Sequence, residues 1–167
     1  TLLVDFPVTA LPRPIMDDYV LVYGDLDAGE LREVMDYARA MDCSVVSIGP
    51  YNLGADHNVL DAGVDEWLGW IRAARTVVTS FFHGVVFSIK FHREALAVQR
   101  SSKHYKIRQL VTDLALVEEP FRTGSSPRNL TTMLWIRNSD ESRDAIARAR
   151  REAVLFLEGA LSPLKER

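Results

Sequence analysis

The chain has 167 residues, 47% of them hydrophobic and 26% charged, which is enough apolar material for one sizeable core and too little length for two. A formal net charge of −3 excludes the basic excess of a nucleic-acid surface but leaves room for a local cationic pocket around one small anion. The single cysteine, Cys43, excludes an intrachain disulfide and a thiolate zinc site, and no run approaches the roughly 18 apolar residues of a membrane span. A reducing cytoplasm is the expected compartment. The opening Thr1-Leu2-Leu3-Val4-Asp5 is apolar, lacks a signal-peptide pattern and reads as the interior of a longer protein.

Pro7, Pro12 and Pro14 withhold backbone donors and fix φ, so residues 1–17 are expected to form an extended linker to something upstream. Tyr19-Val20-Leu21-Val22-Tyr23, closed by Gly24, is the short apolar run of a strand buried on both faces of a parallel sheet. Leu31, Val34, Met35 and Ala38 then recur at helical spacing up to about Met41, and Ser44-Val45-Val46-Ser47-Ile48 predicts a second buried strand. An irregular loop is expected from Tyr51 to Gly63, then a helix carrying Trp67, Leu68, Trp70 and Ile71, then a strand over Thr76–Thr79. His83 to Phe91 reads as a helix, Ala95 to Gln99 as a strand, and Ile107 to Leu116 as a helix with Leu110, Val111 and Leu114 on one face. Residues 118–130, rich in Glu, Gly, Ser and Pro, are expected to form a mobile loop. Ser139 or Asp140 caps a final helix whose stripe of Ile146, Ala149, Ala153, Phe156, Leu157 and Leu161 is expected to be buried, ending near Gly159 and Pro163. Strands alternating with helices imply an α/β fold with a doubly wound parallel sheet over residues 18–161, and a tail at 162–167.

Open parallel sheets bind ligands outside the carboxyl ends of their strands, which directs attention to the residues after Val22, Ile48, Val78 and Val98. Ser80-Phe81-Phe82-His83-Gly84 puts a hydroxyl, an imidazole and a glycine at a strand-to-helix turn, where the first helical amides lack intrahelical partners and the helix dipole is positive. A phosphate suits that place: Gly84 removes a Cβ from the approach, and Ser80 and His83 add side-chain donors. Spacing alone also permits an ordinary cap, a tight-turn glycine and a packed histidine. His57 with Asp56 and Asp61 suggests a metal site, but no second histidine has ligand spacing and no metal is expected. Trp67, at helical spacing with Leu68 and Ile71, reads as core rather than as a sugar platform together with Trp70, and Cys43 reads as a small hydrophobe.

Ala62-Gly63-Val64-Asp65-Glu66-Trp67-Leu68, Ile71-Arg72-Ala73-Ala74-Arg75-Thr76-Val77-Val78-Thr79-Ser80, Phe82-His83-Gly84 and Phe87-Ser88-Ile89 together resemble the core motif of the polysaccharide pyruvyltransferase family. The likeness extends more weakly to Thr1–Asp5, to the first strand and to the closing helix. It implies a Rossmann-like, donor-binding C-terminal half of a two-domain GT-B-type architecture. The missing N-terminal domain would handle most of the acceptor. The implied reaction transfers pyruvyl from phosphoenolpyruvate to two hydroxyls of a sugar, giving a cyclic ketal and free phosphate, with no cofactor. The implied partners are phosphoenolpyruvate and a sugar or oligosaccharide acceptor, free or lipid-linked, and no nucleic acid. Either the cytoplasm or the inner face of the membrane would suit such an enzyme, and this half alone is expected to be inactive.

The reaction needs an acid and an anion clamp. His83 suits either role, since imidazole titrates near neutral pH, and its place at the helix start favours phosphate binding. Ser80 and Gly84 complete the turn. Lys106 stands where many relatives have an arginine, replacing a fork with a point charge; the basic stretch Arg100, Lys103, His104, Lys106 and Arg108 faces either the donor or merely solvent, and Lys106 is the member most worth testing. Glu66 matches an acidic position of the motif, in a first helical turn where it also favours the dipole. Phe81-Phe82 replaces a hydrogen-bonding or cationic version of the turn, and Val64 replaces a proline. Two other readings remain open: a nucleotide-sugar glycosyltransferase half of the same architecture, and a degenerate, non-catalytic interaction domain.

Overall fold

The computed structural model of the chain describes residues 18–98, 104–120 and 133–161, the side chains of His104 and Leu161 excepted. The expected linker 1–17 and tail 162–167, residues 121–130 of the expected loop, and Gln99, Arg100 and Lys103 lie outside the described residues.

The strands are β1 (Tyr19–Tyr23), β2 (Ser44–Ile48), β3 (His57–Val59), β4 (Thr76–Thr79), β5 (Glu94–Val98), β6 (Val117–Pro120) and β7 (Met133–Arg137). The helices are α1 (Ala28–Ala40), α2 (Val64–Ala73), α3 (Phe82–Lys90), α4 (His104–Asp113) and α5 (Asp140–Leu161). They build one seven-stranded sheet in the order β3-β2-β1-β4-β5-β7-β6. From β3 to β5 all neighbours are parallel, and β7 and β6 extend the sheet antiparallel. The expected α/β, Rossmann-like class holds, with a mixed rather than wholly parallel sheet.

Central strands are apolar at every position because both faces are covered. Val20 and Val22 point into a cluster with Val34 and Ala38 of α1, while Tyr19 and Leu21 point into the opposite cluster with Leu68 and Ile71 of α2. Further along that second face, Val85 and Ile89 of α3 and Ile107 and Val111 of α4 pack on Ala95, Ala97, Leu134 and Ile136. The winding is therefore double, with α1 on one face and α2, α3 and α4 on the other.

Three expectations need correction. Glu118, Glu119 and Pro120 are not loop but part of strand β6, where acidic side chains and a proline are tolerated because one side of the strand has no ladder partner among the described residues. The loop from Tyr51 to Gly63 contains the three-residue strand β3, too short to leave a periodic signal. The closing helix does not bury its whole stripe: Ala145 is buried and Ile146 packs on the core, but Phe156 is 75% exposed and Leu157 55%. Its 22 residues span about 33 Å, roughly twice the length of a five-residue strand, so its second half has no sheet to cover among the described residues. No helix among the described residues is long and apolar enough to cross a membrane.

At the amino-terminal edge of the parallel strands, α1, α3 and α4 each turn through a residue of positive φ: Asp42 (54°), His92 (57°) and Ala115 (49°). In each turn the amides reach back to the last helical carbonyls, as Leu116 N does to Val111 O at 3.0 Å. Aspartate and histidine tolerate this left-handed conformation better than alanine does. Ala115→Gly is therefore expected to stabilise the chain by about 1 kcal/mol, read as a higher urea midpoint. An unchanged or lower midpoint would contradict the assignment of strain to that residue.

Candidate functional site

Strand β1 lies between β2 and β4, and the chain leaves it through α1 on one face but enters and leaves β4 through α2 and α3 on the other. The winding direction thus reverses between β1 and β4, and the crevice outside their carboxyl ends is where such sheets receive ligands. Gly24 follows β1 and Ser80 follows β4, so the serine singled out from sequence stands on this crevice.

The two strand ends are tied closely. Gly24 has φ 150°, and a Cβ there would lie 2.7 Å from the backbone N of Ser80 and closer still to its Oγ. Only glycine permits this approach. The amide of Asp25 donates to Ser80 Oγ at 3.1 Å. Thr79 Oγ1 donates to the carbonyl of Tyr23 at 2.6 Å and accepts from the amide of Phe81 at 3.0 Å, so one hydroxyl fixes the end of β1 to the entry of α3.

Helix α3 begins without a side-chain cap: Phe81, in extended conformation (φ −103°, ψ 135°), occupies the cap position, and the first turn holds no acidic residue. The amides of Gly84 and Val85 bond to Phe81 O at 3.0 and 3.4 Å, whereas those of Phe82 and His83 have no acceptor among the described residues. Helix α1, on the same edge, is different. Asp27 Oδ1 accepts from the amides of Gly29 and Glu30 at 2.8 and 2.9 Å, and Glu30 Oε2 accepts from Asp27 N at 2.8 Å, a complete capping box. Helix α2 starts at Gly63 without a cap but carries Asp65 and Glu66 in its first turn. Among the helices whose cap is described on this edge, α3 alone meets the crevice with open donors and no acid of its own.

His83 is exposed and Ser80 half-buried, with the His83 ring 6.0 Å from that of Phe82. Gly84 is buried, and its glycine identity has a packing cause: an added Cβ would lie 2.8 Å from both Cβ and Cγ2 of Thr79 and nearer to Oγ1. The missing side chain faces β4, and lets α3 sit tightly on that strand. Glu66 is exposed in the first turn of α2, and Lys106 is exposed near the start of α4, its Nζ 6.0 Å from the Tyr105 ring. Both helices follow parallel strands, so the two residues share the carboxyl edge with the Ser80 turn. No hydrogen bond or ion pair joins either of them to that turn among the described residues.

The aromatic residues around the crevice are structural. Phe81 packs edge-on to Tyr23 with centroids 5.0 Å apart, Tyr23 lies 5.0 Å from Trp67, and Trp67 lies 5.2 Å from Phe87. Burial raises the Tyr23 pKa, keeping its phenol neutral. Trp70 stacks edge-on to Tyr19 and accepts its hydroxyl proton at the backbone carbonyl, 2.7 Å away. Asp56 is occupied by the amide of Val45 at 2.7 Å, a tie between loop and sheet. No three His, Cys, Asp or Glu side chains converge among the described residues. Sequence reasoning missed Thr79, Gly24 and the capping box of Asp27 and Glu30; of these, the Asp-x-x-Glu spacing was the readable signal.

The family model for polysaccharide pyruvyl transferase matches residues 11–102, a stretch running from before β1 to beyond β5 and containing the whole crevice. Neither a curated protein nor a solved structure matches the chain.

Proposed function

Because the chain belongs to the polysaccharide pyruvyl transferase family, we propose that its crevice is the donor site, with the start of α3 holding the phosphate of phosphoenolpyruvate. The observation that carries this reading is the uncapped, acid-free start of α3 at the switch point, where the amides of Phe82 and His83 have no acceptor. Unpaired N–H groups at a positive helix end form a ready anion site, and the neighbouring helix shows the alternative, a carboxylate built in as cap.

In this reading Ser80 Oγ–H and the His83 imidazole add donors to the phosphate, and Gly84 sets the close fit of α3 on β4 that aims those amides. Lys106 supplies positive charge for the donor's remaining anionic oxygens, and Glu66 accepts a hydroxyl of the acceptor at the rim. The enol carbon of the donor takes a proton and becomes a methyl group. One sugar hydroxyl then bonds to the adjacent carbon and loses its proton; the carbon–oxygen bond to phosphate breaks with its electron pair leaving on phosphate, and the second hydroxyl bonds to the same carbon and gives up its proton, closing the ketal. Binding the leaving phosphate more tightly as its charge grows lowers the barrier to that cleavage.

Residues 18–161 are in this account the donor-binding unit of a two-domain enzyme, joined through 1–17 to an upstream domain that holds the acceptor. The isolated chain is accordingly expected to be inactive. The enzyme would act in the cytoplasm or at the inner face of the membrane, where a lipid-linked acceptor is presented. The test is to incubate the protein carrying its upstream domain with phosphoenolpyruvate and candidate oligosaccharides, following phosphate release and acceptor mass. Acceptor-dependent phosphate release with a pyruvyl ketal on the sugar is expected. Consumption of a nucleotide sugar, with phosphoenolpyruvate untouched, would overturn the reading in favour of glycosyl transfer.

A further inference from the structure

At the amino-terminal edge of the parallel strands, the end of the sheet away from the Ser80 turn, a cleft of about 340 Å³ lies between the α3–β5 turn and the β7–α5 turn. Arg93, Arg137 and Arg143 line it, beside His92, Asn138 and Glu94. Arg137 pairs with Glu119 at 2.8 Å and Arg143 with Asp140 at 3.3 Å. The half-buried guanidinium of Arg93 has no acceptor among the described residues, and its Nε is sealed from solvent unsatisfied. Asn138 Oδ1, on the same cleft, is likewise sealed without a donor.

Orphaned buried polar groups are rare in folded proteins, and two of opposite kind on one cleft call for a partner that both donates and accepts. Oxyanions match the planar fork of arginine. A sulfate or carboxylate, however, only accepts, and would leave Asn138 unsatisfied while facing the carboxylate of Glu94. A phosphate group carrying one proton offers oxygens to Arg93 and an O–H to Asn138 or Glu94. Asn138 Nδ2 donates to Ile89 O at a long 3.5 Å, and rotation about the broad terminal torsion of asparagine exchanges that weak bond for one from the ligand to its oxygen.

We infer that this cleft is a second anion site, selective for a singly protonated phosphate group, either inorganic phosphate or the headgroup of a small phosphomonoester. It stands independently of the donor reading, since it lies at the opposite end of the strands. The test is a titration of the isotope-labelled chain with inorganic phosphate, with glycerol phosphate and, at equal ionic strength, with sulfate, following backbone amide resonances. Saturable shifts at His92, Arg93, Glu94 and Asn138 are expected with the phosphates and not with sulfate, and the tighter-binding phosphate identifies the source. They should vanish in Arg93→Gln, weaken several-fold in Arg143→Gln, whose side chain is exposed, and persist in Ser80→Ala. No saturable shift at these residues, equal shifts with sulfate, or undiminished binding in folded Arg93→Gln or in Arg143→Gln would overturn the inference.

Discussion

Gly84→Ala is expected to destabilise the chain by about 2 kcal/mol, although alanine is the better helix former by up to 1 kcal/mol. The added methyl would lie 2.8 Å from Cβ and Cγ2 of Thr79, and Thr79 Cβ is anchored to the strand backbone, so no rotamer change removes the overlap. Relief requires α3 to lift from β4, which loosens the Thr79 hydroxyl from Tyr23 O and from Phe81 N at the mouth of the crevice. Gly159, in α5, has nothing within 4 Å of the same hypothetical atom, so Gly159→Ala should stabilise its helix by up to about 1 kcal/mol. Chemical denaturation of the two variants should therefore move the midpoint in opposite directions. A Gly84→Ala midpoint at or above the parent's would show that α3 does not depend on this contact.

The second large effect concerns the donor. In a protein that carries the proposed upstream domain, His83→Ala should lower kcat/KM for the proposed donor, phosphoenolpyruvate, by about 10- to 100-fold, the loss expected from one hydrogen bond to a charged group at roughly 1.5–3 kcal/mol. If His83 binds the phosphate in ground and transition states alike, the change falls mainly on KM, and His83→Gln, which keeps a donor, recovers part of it. A fall confined to kcat, with one limb of the pH profile gone and no recovery by glutamine, would make the imidazole the proton donor instead. Full activity in His83→Ala would remove the residue from the site.

Much of this was legible because buried strands are written in unbroken apolar runs. Tyr19–Val22 is buried throughout, as its apolar run implies, and Thr76–Thr79 is buried as two valines flanked by β-branched threonines. The strand-to-helix turn at Ser80 was legible as a turn, since β4 ends at Thr79 and α3 begins at Phe82, while spacing left its use open between an anion site and ordinary capping. What stayed hidden depends on partners distant in sequence. Met133–Arg137 reads as a strand only once β5 offers it an antiparallel ladder, and Val117–Pro120 is held by β7 in turn. The reason for glycine at 24 lies 56 residues away, in the backbone nitrogen of Ser80. Gly84 was read as an opening for an anion, and its Cβ direction faces Thr79 instead. Phe156 and Leu157 keep helical periodicity but run past the sheet, because periodicity marks a face without saying what covers it.

In the proposed donor site, two unpaired amides at the start of α3 hold the phosphate of phosphoenolpyruvate. The most direct measurement is a titration of the isotope-labelled chain with phosphoenolpyruvate, following the amide resonances of Phe82 and His83 beside those of Gly29 and Glu30 in the capped helix. Saturable shifts are expected at Phe82 and His83, with the Phe82 shift needing more ligand in Ser80→Ala combined with His83→Ala, while Gly29 and Glu30, already bonded to Asp27, stay still. Unmoved resonances at Phe82 and His83 under saturating donor, or shifts centred on another helix start, would contradict the proposed site.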